Sequence, residues 1–96
     1  MKRVIKATRA TGYYYRYEVH WVAPEGKDCL FAAVNTLAEA EDFAIEMLES
    51  FFNDGRHTKD EKAFRIQNGY ILDVKTGRDV TTDRVLEIGN DFLRRI

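Results

Sequence analysis

Few residues in this sequence could carry nucleophilic or metal chemistry: one cysteine, Cys29, and two histidines, His20 and His57. The histidines lie far apart in different predicted elements, and no spacing among the three matches a zinc site. A Cys29–His20 pair on neighbouring strands would join a nucleophile to a base. Because Cys29 lies in an apolar run, a buried structural thiol beside an exposed imidazole is favoured. We therefore predict no catalytic residues, no metal site and no cofactor, and a protein that is not an enzyme.

A row of carboxylates is the best-defined functional candidate. Residues 37–54 contain six acidic side chains and no basic ones. On a helix, four of them lie within an arc of about 80° around the helix axis. We call this set the acidic ridge: Glu39, Asp42, Glu46 and Glu49. Like charges three and four residues apart slightly destabilise a helix. The ridge is either a solvated helix back that keeps the protein soluble or a surface that docks a basic protein partner.

An aromatic segment, residues 13–22, is the second candidate. Its odd positions are Tyr13, Tyr15, Tyr17, Val19 and Trp21, whereas its even positions are largely polar. Side chains alternate between the two faces of a strand. The odd positions are therefore predicted to form the sheet's part of the core, in preference to a platform for stacking nucleic-acid bases. On the other face, Tyr14 is better placed to touch a partner.

The N-terminal half supplies the elements that position these residues. Alternation and turn residues predict strands over 2–9, 13–22 and 29–34. The pattern Thr36-x-x-Glu39 is a capping box, and the apolar spacing that follows it predicts a helix over 37–53.

In the C-terminal half, residues 53–62 indicate an exposed polar loop. Asn68-Gly69 predicts a hairpin between strands at 63–67 and 70–74. A competing turn at 75–78 leads into a short strand at 79–81. The segment from Thr82 predicts a helix, with a strand plus a short helix as the alternative. The order β-β-β-α-β-β-α indicates an α+β fold, an antiparallel sheet covered on one face by an amphipathic helix.

Residues 12–50 resemble the arm-type DNA-binding domain of tyrosine integrases. The resemblance rests on a meander running into a helix, an aromatic strand, the turn Glu25-Gly26-Lys27, and the helix start from Asn35 to Phe43. It implies a sheet that inserts into the major groove of DNA. On that alternative, nucleic acid is bound by Tyr14, Arg16 and Lys27, together with the basic N-terminal strand.

Length and composition limit the number of domains and the class of protein. The 96 residues fit one domain, 1–96, and a net charge of −1 gives no overall attraction to nucleic acid or anionic membrane. No apolar stretch approaches the length of a membrane span, and the N-terminus does not match a signal peptide. A single cysteine excludes an internal disulfide framework, which suggests a reducing compartment. We expect a cytoplasmic protein that does not bind membranes.

The predicted function is regulation through protein–protein contact, by the acidic ridge or a sheet edge. Small proteins of this kind are common among accessory proteins of bacteria and phages, including inhibitors of host defence enzymes. The predicted third strand carries no basic residue, which favours protein contact over DNA binding. A homodimer that pairs exposed strand edges is a third possibility, because Asp28 is the only charge that residues 28–34 offer to protect that edge.

Overall fold

The computed structural model describes residues 15–96, so the strand predicted at 2–9 and the side chain of Tyr14 lie outside the described residues. Four strands and three helices follow in β-β-α-α-β-β-α order. The elements are β1 (Tyr17–Val22), β2 (Asp28–Val34), α1 (Leu37–Asn53), α2 (Lys59–Gln67), β3 (Tyr70–Asp73), β4 (Arg78–Asp79) and α3 (Asp83–Arg95). The strands form one antiparallel sheet in the order β2-β1-β3-β4, which makes this an α+β fold.

Strand β1 lies at the centre of the sheet and carries the middle of the core. Val19 is paired with Ala32 on β2 and with Ile71 on β3, and all three residues are fully buried. Beyond Val19 the register with β2 shifts by one residue, a bulge that places His20 opposite Leu30. Because side chains alternate along a strand, Val19 and His20 face opposite sides of the sheet.

The aromatic segment packs as its alternation predicts. Tyr15 is buried, and Tyr17 and Trp21 lie against the core cluster. The Trp21 ring meets the Phe51 ring of α1 edge-on, with 5.4 Å between the ring centroids. The prediction that the odd positions belong to the core is therefore confirmed for the residues that the structure describes.

Helix α1 has the predicted bounds and the predicted start. The Thr36 side-chain oxygen accepts a hydrogen bond from the Glu39 amide at 3.2 Å. The Glu39 carboxylate accepts from the Thr36 hydroxyl at 3.0 Å, where a full capping box would have it accept from the Thr36 amide. Ala40, Ala44 and Met47 form the buried stripe that packs on the sheet.

The other two helices join α1 in one layer, which covers the Val19 face of the sheet. Helix α3 packs on α1 and α2, and the Phe52 and Phe92 rings stack with 4.6 Å between their centroids. Helix α3 confirms the helix predicted after Thr82, whose side chain accepts from the Val85 amide. Within residues 15–96, no helix is long and apolar enough to cross a membrane.

Helix α2 corrects the prediction for residues 53–67. The structure has a helix over Lys59–Gln67, whereas the polar composition indicated a loop followed by a strand. Thr58 and Glu61 form the complete capping box that starts it. The hairpin predicted at Asn68-Gly69 is also wrong, because Asn68 caps the helix by donating from its backbone and side-chain amides to the Phe64 carbonyl. The turn at 75–78 is the real one, with Gly77 at φ +72°.

Candidate functional site

The acidic ridge lies on the solvent side of α1, opposite the stripe that packs on the sheet. Glu39, Asp42 and Glu49 are exposed, and Glu46 is half-buried. The core packing of Ala40, Ala44, Met47 and Leu48 fixes the rotation of α1 about its own axis, so that the four carboxylates stay on one side. The structure thus brings together all four residues that the sequence singled out for binding a protein partner.

One end of the ridge is close to a cation from α3. Arg84 donates to the Glu41 carboxylate at 3.2 Å, and its guanidinium is 3.9 Å from the Asp42 carboxylate. The Thr82 hydroxyl also donates to Glu41. The hydrogen bond from Thr82, followed by that from Arg84, outweighs the effect of desolvation and lowers the pKa of Glu41. Glu41 therefore joins α1 to the start of α3.

The rest of the ridge has no cationic partner in the part of the chain that the structure describes. Within residues 15–96, no ion pair involves Glu46 or Glu49, and Glu39 interacts only with its own helix cap. Glu46 lies four residues from Asp42 and three from Glu49, which are the spacings at which like charges repel on a helix. A cationic group from outside the described chain would relieve that repulsion.

A second polar constellation, which we call the His20 cluster, lies on the opposite face of the sheet: Glu18, His20, Asp28 and Tyr70. The helical layer packs on the Val19 face, so no helix of residues 15–96 covers this cluster. The His20 ring is 2.8 Å from Glu18 through Nε2 and 2.9 Å from Asp28 through Nδ1. It also stacks on the Tyr70 ring, with 5.1 Å between the centroids.

The cluster joins β2, β1 and β3 into one hydrogen-bonded group. The Tyr70 hydroxyl donates a hydrogen bond to the Asp28 carboxylate. Desolvation, followed by that hydrogen bond, raises the pKa of Tyr70 well above its ordinary value. Desolvation raises the pKa of Asp28, but the hydrogen bonds from Tyr70 and His20 outweigh it and leave that pKa lowered. Both ring nitrogens of His20 face carboxylates, so proton transfer to a substrate at His20 requires one carboxylate to move away.

The thiol of Cys29 is not part of the His20 cluster. Cys29 pairs with Trp21 in the β-ladder, and its sulfur donates a weak hydrogen bond to the Lys27 carbonyl at 3.7 Å. The imidazole, expected to be exposed, is in fact only 15% exposed. Cys29 and His20 therefore do not form a nucleophile–base pair, although they lie on adjacent strands. Both ring nitrogens of His20 contact carboxylates, those of Glu18 and Asp28.

Two residues of the nucleic-acid alternative, Arg16 and Lys27, lie beyond opposite ends of β1, and Tyr14 lies outside the described residues. Arg16 donates two parallel hydrogen bonds to Asp73, at 2.8 and 2.9 Å. Lys27 is exposed in the turn between β1 and β2. The His20 face between them carries the carboxylates of Glu18 and Asp28, which repel phosphate.

The edge that the homodimer hypothesis requires is present in the structure. Strand β2 lies at one edge of the sheet, and its outer side is not paired with any strand of residues 15–96. Asp28, the charge at the start of that edge, points its carboxylate toward His20 and Tyr70.

Cross-strand partners such as Tyr70 leave no signal in the local sequence, because β3 follows β1 after two helices.

Comparison with known proteins gives no relative from which a function could be transferred. No protein-family model, curated protein or solved structure matches this chain.

Proposed function

We propose that this protein is a binding and regulatory module that docks a basic surface of a partner protein through the acidic ridge. The observation that supports the proposal is that Glu46 and Glu49 have no ion pair within residues 15–96, on a helix whose opposite face is buried against the core. Such a row of carboxylates complements clustered Lys and Arg side chains and accelerates their encounter. Evenly spaced carboxylates also resemble the phosphates of a nucleic acid, so the expected partner is an enzyme or regulator with a nucleic-acid-binding surface.

The proposed role is that of an accessory protein, for example an inhibitor that occupies its partner's nucleic-acid site. It requires no catalytic group, because occupation alone blocks the site. The lone Cys29 is a free thiol, which fits a reducing compartment. The partner is therefore sought among cytoplasmic proteins.

The test compares two double variants with the same change in charge. Glu46→Lys with Glu49→Lys reverses the charge of these two ridge residues and leaves Arg84 with its own partners. Glu25→Lys with Glu87→Lys is the control, because both residues are exposed and neither has an ion pair within residues 15–96. Each protein is immobilised and exposed to extract from its native cells at about 50 and about 300 mM salt.

The proposal predicts that the wild type and the control retain the same basic protein at low salt, and that high salt releases it. The ridge variant should not retain it, and titration of the purified partner should reproduce the difference. Equal retention by the ridge and control variants would contradict docking through the ridge. Salt-sensitive binding of a generic DNA duplex by the wild type, lost in Lys27→Glu, would favour the nucleic-acid alternative instead; Lys27 is exposed, so its charge reversal leaves the Arg16–Asp73 pair intact.

A further inference from the structure

A pocket opens where the three helices meet, at the end of α1, the start of α2 and the end of α3. It has a volume of about 290 Å³ and is lined by Phe52, His57, Lys59, Lys62, Arg95 and Ile96. We call it the helix-junction pocket. None of its lining residues belongs to the acidic ridge or the His20 cluster.

The lining is basic in a part of the chain that is otherwise acidic. Residues 15–96 contain sixteen acidic and eleven Lys or Arg side chains. The pocket is lined by three of those eleven cations and by one histidine, and none of its six lining residues is acidic. Because the three cations come from the start of α2 and the end of α3, the fold brings together charges that lie more than thirty residues apart.

The cations of the pocket keep donors available. Lys59 has no ion pair within residues 15–96, and Lys62 donates to the Phe52 carbonyl at 3.1 Å without meeting a carboxylate. Arg95 is 3.4 Å from Asp91 through one terminal nitrogen only. Its guanidinium lies 5.0 Å from the centre of the Phe52 ring, which holds it in place at the pocket wall.

The backbone adds to this arrangement. The capping box at the start of α2 satisfies the amides of Thr58 and Glu61 and engages the Glu61 carboxylate. The amides of Lys59 and Asp60 have no acceptor within residues 15–96, and free amides at a helix N-terminus favour an anion. His57 directs Nδ1 to Asp54 at 2.7 Å.

We propose that the helix-junction pocket binds the phosphate group of a small molecule. Lys59, Lys62 and Arg95 would donate to its oxygens, and Phe52 would provide an apolar wall for the rest of the molecule. Donors from several directions suit a tetrahedral dianion. Asp54 contacts His57 and Asp91 contacts Arg95, so carboxylates interrupt the basic surface beside the pocket, whereas a nucleic-acid strand requires a continuous basic groove.

The test is a titration of the ¹⁵N-labelled full chain with inorganic phosphate at constant ionic strength and pH, followed by amide chemical shifts. We expect saturable shifts confined to residues 57–62 and the end of α3, with a dissociation constant of about 1 mM or lower. The double variant Lys59→Gln with Arg95→Gln should bind about tenfold more weakly. Lys75→Gln with Arg78→Gln, an equal loss of charge in the exposed turn between β3 and β4, should bind as the wild type does.

Three results would overturn the proposal. These are shifts that rise linearly without saturation, an equal loss of affinity in the control, and preferential binding of a short DNA duplex at the same residues. If loss of Arg95 disturbs α3, then Lys59→Glu alone decides the matter, since Lys59 is exposed and its charge reversal should abolish saturable binding. The ridge takes no part in this experiment, so the outcome is independent of the docking function.

Discussion

Arg16 and Asp73 are joined by two parallel hydrogen bonds, Nε to Oδ1 at 2.8 Å and Nη2 to Oδ2 at 2.9 Å, across 57 residues of sequence. Asp73 is buried and also accepts from the amides of Lys75 and Thr76, so one carboxylate organises the turn between β3 and β4. The pair fixes the start of β1 against that turn. Arg16, which the nucleic-acid alternative names as a contact, thus has a structural role at the start of the sheet.

This pair predicts a specific dependence of stability on pH. The hydrogen bond from Arg16, together with those from two amides, lowers the pKa of Asp73 to about 2. A pKa below the unfolded value gives stability that is present at neutral pH and is lost as the pH falls from about 4 to about 2. In urea denaturation followed by Trp21 fluorescence, Asp73→Asn should be less stable than the wild type at pH 7.

The difference between the two proteins should shrink steadily below pH 4. Other carboxylates titrate in the same range, so the comparison with Asp73→Asn is what isolates this one. A difference that stays constant from pH 7 to pH 2 would contradict the assignment.

The close approach of Gly69 to Met47 predicts an overpacking effect. A Cβ atom added at Gly69 would lie 2.8 Å from the terminal methyl of Met47, which is itself fully buried. Because that methyl ends a flexible side chain and can shift, Gly69→Ala should lower the free energy of unfolding by about 1 kcal/mol or less. Met47→Leu removes that methyl, so the double variant should lose less than the sum of the single losses. Strict additivity in urea denaturation would show that the two sites do not interact.

The acidic ridge predicts a substitution that stabilises the protein. Glu46→Lys replaces two repulsions with two attractions, to Asp42 four residues earlier and to Glu49 three residues later. The free energy of unfolding should rise by about 0.5 kcal/mol, an effect that weakens at high salt. Glu87→Lys is the exposed control on α3. If Glu46→Lys destabilises the protein instead, Glu46 has a structural role and the ridge is not reserved for a partner.

The His20 cluster predicts behaviour at alkaline pH. Burial, followed by the hydrogen bond to Asp28, raises the pKa of Tyr70 above its unfolded value of about 10. Stability that depends on the protonated phenol is present below pH 10 and is lost as the pH rises beyond it. Tyr70→Phe should cost about 1 kcal/mol at pH 8, and it should lose less stability than the wild type between pH 8 and pH 11.

Absorbance at the tyrosinate wavelength checks the same point directly. The wild type should show a tyrosine ionisation above pH 10 that Tyr70→Phe lacks. Identical titration curves above pH 10 for the two proteins, after allowance for one tyrosine fewer at pH 10, would contradict the raised pKa of Tyr70.

Local sequence was sufficient for the elements whose signals lie within one turn or one strand. The capping residue Thr36 and the apolar spacing after it determine α1, and the alternation around Val19 determines which side of β1 is buried. The acidic ridge followed directly, since a helix with a known buried stripe has a known exposed face. Helix α2 begins with the capping pattern Thr58-x-x-Glu61, the same as Thr36-x-x-Glu39, but the polar composition of residues 53–62 indicates a loop and obscures that local signal.

The tertiary structure alone decided which distant residues meet. Strand order is set by the way β3 returns beside β1 after two helices, and that pairing brings Tyr70 to His20 and Asp73 to Arg16. It also gathers Lys59, Lys62 and Arg95 around one pocket. Periodicity reports which face of an element is buried, but it carries no information about which other element covers that face. The charged surface of α1 was therefore readable from the sequence, and the polar clusters that join the elements were not.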